Sequence, residues 1–263
     1  MSYADVNGLH LYYEDHGAGD HPLILLHGGF GATEALASVV TKLSASRRVV
    51  PVDLQAHGRT ADIDRPMRYE AMADDIAGLI GHLGVETADV MGYSLGGGAA
   101  ARTAIQHPDL VRRLVLVSVP CRRSAWFPEV RAGMAQVASE EPDLMMQSPI
   151  YEMYARIAPR VEDWPRLVDK VGELVNLDYD WTEEVSALRM PVLLAAADSD
   201  SFSPAHAAEF YALLGGGLRD AGWDGSGKQP NRLVIVPDAT HYDMIYQPVL
   251  AQVTTAFLDE KAL

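Results

Sequence analysis

The chain predicts an α/β fold, with a mostly parallel central sheet flanked by helices and an α-helical insertion after one strand. Three observations predict it. Short apolar runs alternate with segments of helical spacing. A sharp glycine-flanked turn at Gly92–Gly96 separates a strand-like run from a run of small residues and helix formers. The alternation then breaks between about Pro120 and Ser186 and resumes afterwards. A length of 263 residues suits one large α/β domain with an insertion, or two small domains.

Val6 and Leu9 to Tyr13 flank Asn7-Gly8, a favoured turn pair, and predict an N-terminal hairpin. Leu23-Ile24-Leu25-Leu26 is a continuous apolar run, as expected of a strand covered on both faces. Val49-Val50-Pro51-Val52 is another, and Pro51 implies a strand end or irregular pairing because it lacks a backbone donor. Met72, Ile76, Leu79, Ile80 and Leu83 recur at helical spacing from Tyr69, and Gly84 ends that helix. Glu86 to Met91 reads as a strand, and Gly97 to Ile105 as the helix after it. Leu114 to Val117, Pro191 to Ala195 and Leu233 to Val236 are further strands, and Val249 to Leu258 is a closing helix. Residues 120–186 hold several short helical stretches with prolines between them, rich in aromatic and methionine side chains. They predict a cap over the sheet's C-terminal edge, with 1–119 and 187–263 as the core. Most of those aromatics and methionines serve to pack the cap.

Composition narrows the function. Thirty-six acidic against 21 basic residues leave a net charge of −15, which disfavours nucleic acid and anionic membranes as partners. No apolar run approaches the roughly 18 residues of a membrane span. Met1-Ser2-Tyr3-Ala4-Asp5 has neither a basic region nor an apolar core, so no signal peptide is expected. Cys121 is the one cysteine, which rules out an intrachain disulfide and makes a reducing cytoplasm the expected home. It reads as a packing residue rather than a nucleophile.

Gly92-Tyr93-Ser94-Leu95-Gly96 carries the chemistry. A strand that turns sharply into a helix at a serine exposes the hydroxyl at the top of a sheet. Small residues two before and two after let the backbone segments approach. Ser94 is therefore the candidate nucleophile, and acyl transfer needs a base, an acid that orients it, and donors for the oxyanion. His241 follows the last strand by a short loop and is the candidate base. Asp198 and Asp200 compete for the orienting role after the preceding strand. Asp200 is preferred because the turn there has room to lift it toward the histidine, while Asp198 suits the turn itself. The earlier strand ends in Ser118-Val119-Pro120-Cys121, with no acid. Oxyanion donors are expected from the amides of Leu95 and Gly29, with Phe30 as the alternative to Gly29. His27 reads as a brace for that loop and His206 as a surface residue. Phe30, Tyr93, Trp126, Phe127 and Tyr154 are candidate substrate contacts.

In these motifs the chain resembles the α/β-hydrolase superfamily over nearly its whole length. His27-Gly28-Gly29, the Gly92–Gly96 turn, Asp200 and His241 stand in the order serine, aspartate, histidine. Asp53-Leu54-Gln55-Ala56-His57-Gly58-Arg59-Thr60 also resembles the superfamily's D-x-x-G-x-G-x-S loop, with Ala56 in place of a glycine and Thr60 in place of a serine. The chain is similar to the capped esterase, enol-lactonase and carbon–carbon hydrolase branch. That resemblance implies hydrolysis of a small to medium ester or lactone through an acyl-enzyme, with no metal and no organic cofactor. Carbon–carbon hydrolysis of vinylogous diketones and cofactor-free perhydrolysis use the same triad and stay open. So does a ligand receptor on a retired hydrolase scaffold. Serine at the nucleophile position argues against dehalogenases and epoxide hydrolases, which carry aspartate there. Oligomeric state is not legible.

Overall fold

The computed structural model describes residues 2–137 and 145–259. Eight strands alternate with helices: β1 (Ser2–Val6), β2 (Leu9–Tyr13), β3 (Leu23–Leu26), α1 (Ala37–Leu43), β4 (Val49–Val52), α2 (Tyr69–His82), β5 (Ala88–Tyr93), α3 (Leu95–Gln106) and β6 (Val111–Val117). After β6 come α4 (Pro128–Val137), α5 (Pro149–Ile157), α6 (Trp164–Asn176) and α7 (Thr182–Ser186), then β7 (Val192–Ser199), α8 (Pro204–Leu213), β8 (Arg232–Thr240) and α9 (Pro248–Asp259). The strands form one sheet in the order β1-β2-β4-β3-β5-β6-β7-β8, antiparallel at the β1, β2 end and parallel from β4 to β8.

The apolar runs explain the layers. Successive side chains of a strand point to opposite faces, so each parallel strand must satisfy two cores. Leu23, Leu25, Met91 and Val115 face α1 and α9, whereas Ile24, Leu26, Val90 and Leu114 face α2 and α3. The hairpin closes as expected, with Asn7 at φ 49° and Gly8 at φ 83°. Pro51 lies within β4, and its carbonyl accepts from the Glu14 amide on the β2 side. Its missing N–H faces that same side, where β2 and β4 align at a single residue pair. The regular β3–β4 ladder therefore loses nothing.

Between β6 and β7 the described residues form helices, short turns and isolated bridges. Prolines open α4 and α5 and stand second in α6, where a missing amide hydrogen costs no helical bond. The two ends of this inserted segment are zipped together. Arg123 N donates to Tyr179 O and Trp181 N to Cys121 O, each at 2.9 Å. The segment is thus a closed excursion from the sheet. A further anchor is Lys170 on α6, whose Nζ reaches both carboxylate oxygens of Asp62 at 2.8 and 2.7 Å and the carbonyls of Ile63 and Arg65. Residues 138–144 of the expected cap lie outside the described residues.

Candidate active site

Ser94 sits between β5 and α3 at φ 54°, ψ −118°, a conformation non-glycine residues rarely adopt. Close packing holds it there. A Cβ on Gly92 would collide with the Gly96 carbonyl, and one on Gly96 would come within 2.7 Å of the Leu26 carbonyl. The Ser94 amide donates to Val117 O at 2.9 Å, which ties the turn to β6. Leu95 opens α3, so its amide has no acceptor within the helix and points out of the N-terminus.

His241 follows β8 and Asp200 follows β7. A β-bulge separates the paired positions Ala197↔Val236 and Ser199↔Thr240, giving β8 two extra residues there. The bulge bends the end of β8 and re-aims the loop that carries His241. Asp198 bridges the two strand ends by accepting from the amides of Asp238 and Ala239 at 3.1 and 3.3 Å. The two competing carboxylates therefore divide the work: Asp198 holds the loops and Asp200 faces the imidazole.

The resulting relay is continuous. Ser94 Oγ lies 3.0 Å from His241 Nε2, and His241 Nδ1 lies 2.8 Å from Asp200 Oδ1. Asp200 also accepts from Ser201 N at 2.8 Å, Ala197 N at 3.0 Å and Ser118 Oγ at 2.7 Å. Burial works against the charge on Asp200, but His241, Ser118 and the Ala197 amide outweigh it and hold its carboxyl below the usual range. An anionic Asp200 fixes Nδ1 as the protonated ring nitrogen and leaves Nε2 free to accept the serine proton.

Three rings fix the plane of that imidazole. Tyr93 packs at 5.6 Å between centroids, and its hydroxyl donates to the His241 carbonyl at 2.6 Å. Trp126, from the inserted segment, meets it edge-on at 5.5 Å, as does Tyr242.

The glycine loop after β3 lies opposite. Gly29 abuts Leu95, since a Cβ on Gly29 would stand 3.5 Å from Leu95 Cδ1. The Gly31 amide donates to Gly28 O at 3.0 Å, and Phe30 takes φ 58°. His27 is buried. Its Nδ1 donates to Gly28 O at 2.7 Å and its Nε2 accepts from Leu54 N at 3.1 Å. Burial depresses its pKa to about 4, so it is a neutral brace. Asp53 clamps the next loop by accepting from the amides of Thr33 and Arg59 at 2.6 and 2.8 Å. Ala56, where the superfamily pattern has glycine, adopts φ 65°, the left-handed region that a glycine occupies without strain.

A cavity of about 550 Å³ opens above Ser94 and His241. Its wall joins Phe30 and Tyr69 of the core to Trp126, Met134, Val171 and Tyr179 of the inserted segment. That volume suits a small or medium organic molecule. A separate cleft by Tyr211, Arg219 and Lys228 holds none of the relay groups.

Known proteins resemble this chain in sequence and fold. A family model described as the α/β hydrolase fold matches residues 21–147. The chain has the α/β-hydrolase fold. RutD of Azorhizobium caulinodans, provisionally named a carbamate hydrolase, is 28% identical over 236 residues, covering 84% of this chain and 88% of the relative. A 2-hydroxymuconate semialdehyde hydrolase of a Pseudomonas species is 37% identical over 114 residues, 42% of this chain and 40% of that one. The crystal structure of the enol-lactonase from Burkholderia xenovorans superposes with a TM-score of 0.73 at 23% identity, over 98% of this chain and 100% of that one, a likeness of fold.

Within this α/β-hydrolase fold, Ser94, Asp200 and His241 converge, and Gly29, Phe30 and Leu95 stand beside them on the cavity wall. Of the expected substrate contacts, Phe30, Tyr93 and Trp126 line the cavity. Phe127 does not, because its side chain turns outward and is 36% exposed. Tyr154 does not either. It is buried against Trp164, and its hydroxyl donates to Arg160 O at 3.2 Å. The expectation for His206 is also corrected. It is 5% exposed, packed against Phe202 and Phe210, with Nδ1 3.1 Å from Glu209. An N-terminal helical position did not reveal which face it occupies.

Ser118, Tyr69 and Tyr179 escaped sequence reasoning. A signal for Ser118 was present, since it follows β6, the neighbour of β7, at the level where Asp200 emerges. Tyr69 was announced more faintly. A Cβ on Gly98 would strike its ring, so Gly98 marks a close neighbour on α3.

Proposed function

We propose that the protein is a serine hydrolase that cleaves a small to medium carboxylic ester or lactone through an acyl-enzyme, with residues 120–186 acting as its cap. The observation that carries this is the unbroken relay from Ser94 Oγ through His241 to Asp200. Ser94 attacks the carbonyl carbon as His241 Nε2 takes its proton. The negative charge that gathers on the carbonyl oxygen meets the amide of Leu95 and that of Gly29, or of Phe30 in its place. Such amides are set before reaction and need little reorganisation. His241 then gives its proton to the leaving alcohol. Water enters, His241 deprotonates it, and the acyl-enzyme is hydrolysed. Asp200, kept anionic by its four donors, stabilises the imidazolium in both steps.

The likeness to RutD favours a carbamate as the second reading, because a carbamate carbonyl can be attacked in the same way. Either way the test begins with Ser94. The Ser94→Ala protein should lose at least about 1000-fold in kcat on p-nitrophenyl butyrate while keeping its circular dichroism spectrum. A fluorophosphonate probe should label the unaltered protein at Ser94, as mapped by mass spectrometry. Undiminished turnover in Ser94→Ala would refute the assignment. A matched series of esters, lactones and carbamates then ranks the substrates.

A further inference from the structure

On the ester-hydrolase reading above, we propose that the cavity accepts an uncharged acyl group and turns away acyl groups that carry a carboxylate, with Glu129 setting the sign of the cap wall. The cavity wall contains no lysine or arginine among the described residues. Its one acidic side chain is Glu129, an exposed residue on the first turn of α4, and that carboxylate has no ion pair among the described residues. Residues 138–144 read Ala-Ser-Glu-Glu-Pro-Asp-Leu and contain no cation to offer. Three arginines belong to the neighbouring segment 120–137, and none lines the cavity; Arg122 pairs with Glu209 at 2.8 and 2.6 Å. Arg123 donates to Val175 O and Asn176 Oδ1, each at 3.2 Å. Arg131 lies on α4 beside the lining residue Val130.

Apart from Ser94 and Ser201, the rest of the wall is apolar, aromatic or glycine. Val130, Met134, Val137, Val171 and Val175 meet the rings of Trp126 and Tyr179. The neutral polar groups are modest: Trp126 Nε1 donates to the Tyr179 hydroxyl at 3.1 Å, and Tyr69 stands 6.0 Å from Tyr179 between ring centroids. A carboxylate brought into such a wall loses its hydration and gains no cation. An unpaired buried charge is costly, and Glu129 adds repulsion. An alkyl or aryl group of the same shape gains from the same surface. Glu129 also favours the N-terminus of α4 through the helix dipole, a structural role that predicts no preference among ligands.

The test uses two ligands of one shape: benzyl 5-methylhexanoate and monobenzyl glutarate, in which a carboxylate replaces the isopropyl end. Binding is read by isothermal titration calorimetry with the Ser94→Ala protein, so that it reports on the cavity whether or not the unaltered protein turns esters over. The neutral ester should bind at least about 30-fold more tightly. Glu129→Gln should narrow that ratio about threefold. Arg131→Gln should leave the ratio in place. Equal or tighter binding of the glutarate, a ratio unmoved by Glu129→Gln, or a collapse of glutarate binding in Arg131→Gln would each overturn the proposal. Turnover of the neutral ester by the unaltered protein separately tests the ester-hydrolase reading.

Discussion

Tyr93 shows how much a single side chain carries at this site. It stands next to the proposed nucleophile in sequence, yet its hydroxyl reaches 148 positions away to the His241 carbonyl, and its ring lies against the imidazole. Tyr93→Phe keeps the ring and deletes the hydrogen bond. The imidazole of His241, the proposed base, then keeps its neighbours but loses the tie on its backbone. We expect kcat to fall about tenfold with KM within about twofold, because a looser base is felt mainly in the transition state. Steady-state kinetics on p-nitrophenyl butyrate reads this directly, and a change in KM alone would remove Tyr93 from a positioning role. The letters G-x-S-x-G pointed to Ser94 and to the glycines around it, because the steric demand of a tight turn is local. They say nothing of what the residue before the serine touches, since that depends on where the β8 loop arrives.

At the scale of elements, two contacts decide whether the site exists. The first is the approach of α3 to the end of β3, which only Gly96 permits. Gly96→Ala would set a methyl group against the Leu26 and His27 carbonyls, both backbone and unable to yield cheaply. A loss of about 3 kcal/mol is expected, measured as a lower urea midpoint together with loss of fluorophosphonate labelling. The second is the anchor of α6. Lys170 is the cation for Asp62, whose side chain is 1% exposed. Lys170→Met leaves that carboxylate with Gln55 Nε2 at 2.9 Å and Arg166 at 3.9 Å. Breaking a buried pair from one side costs about 3 kcal/mol. Chemical denaturation should show that loss, and limited proteolysis should cut earlier within residues 120–186. The helices and strands themselves were legible, because periodicity and glycine or proline punctuation are local properties. The Lys170–Asp62 pin was not. It joins positions 108 apart, and each side chain alone reads as ordinary surface charge.

The whole molecule carries a buried pair of histidines, His27 and His57, with ring centroids 5.0 Å apart beneath the glycine loop. Burial pushes the pKa of His57 down to about 3, with His27 adding to the effect. A histidine whose folded pKa lies below its ordinary 6.5 is protonated first in the unfolded chain. Its contribution is therefore intact above pH 6.5 and drains away as the pH falls toward 3. Asp53, raised to about 6 by burial, works in the opposite sense, gaining stability as the pH falls through that value. The difference between wild type and His57→Gln isolates the histidine. Wild type should lose its stability relative to the variant as the pH is lowered from 6.5 to 3, by a few kcal/mol in total. Urea melts at each half pH unit check this, and parallel curves would mean that His57 is charged in the folded state.

The amino-acid order alone determined the alternation of strand and helix, the turn at Ser94, the chain order of Ser94, Asp200 and His241, and the place of the helical segment between β6 and β7. All of these rest on short-range sterics and on which faces must be buried. The tertiary structure decided between Asp198 and Asp200, placed Ser118 behind the chosen acid, and turned Phe127 and Tyr154 away from the cavity while bringing Tyr69 and Tyr179 into it. Those outcomes depend on the bulge at the end of β8 and on the angle at which each helix between β6 and β7 docks. Both are set by contacts between residues distant in the chain, whose combined packing no local pattern encodes.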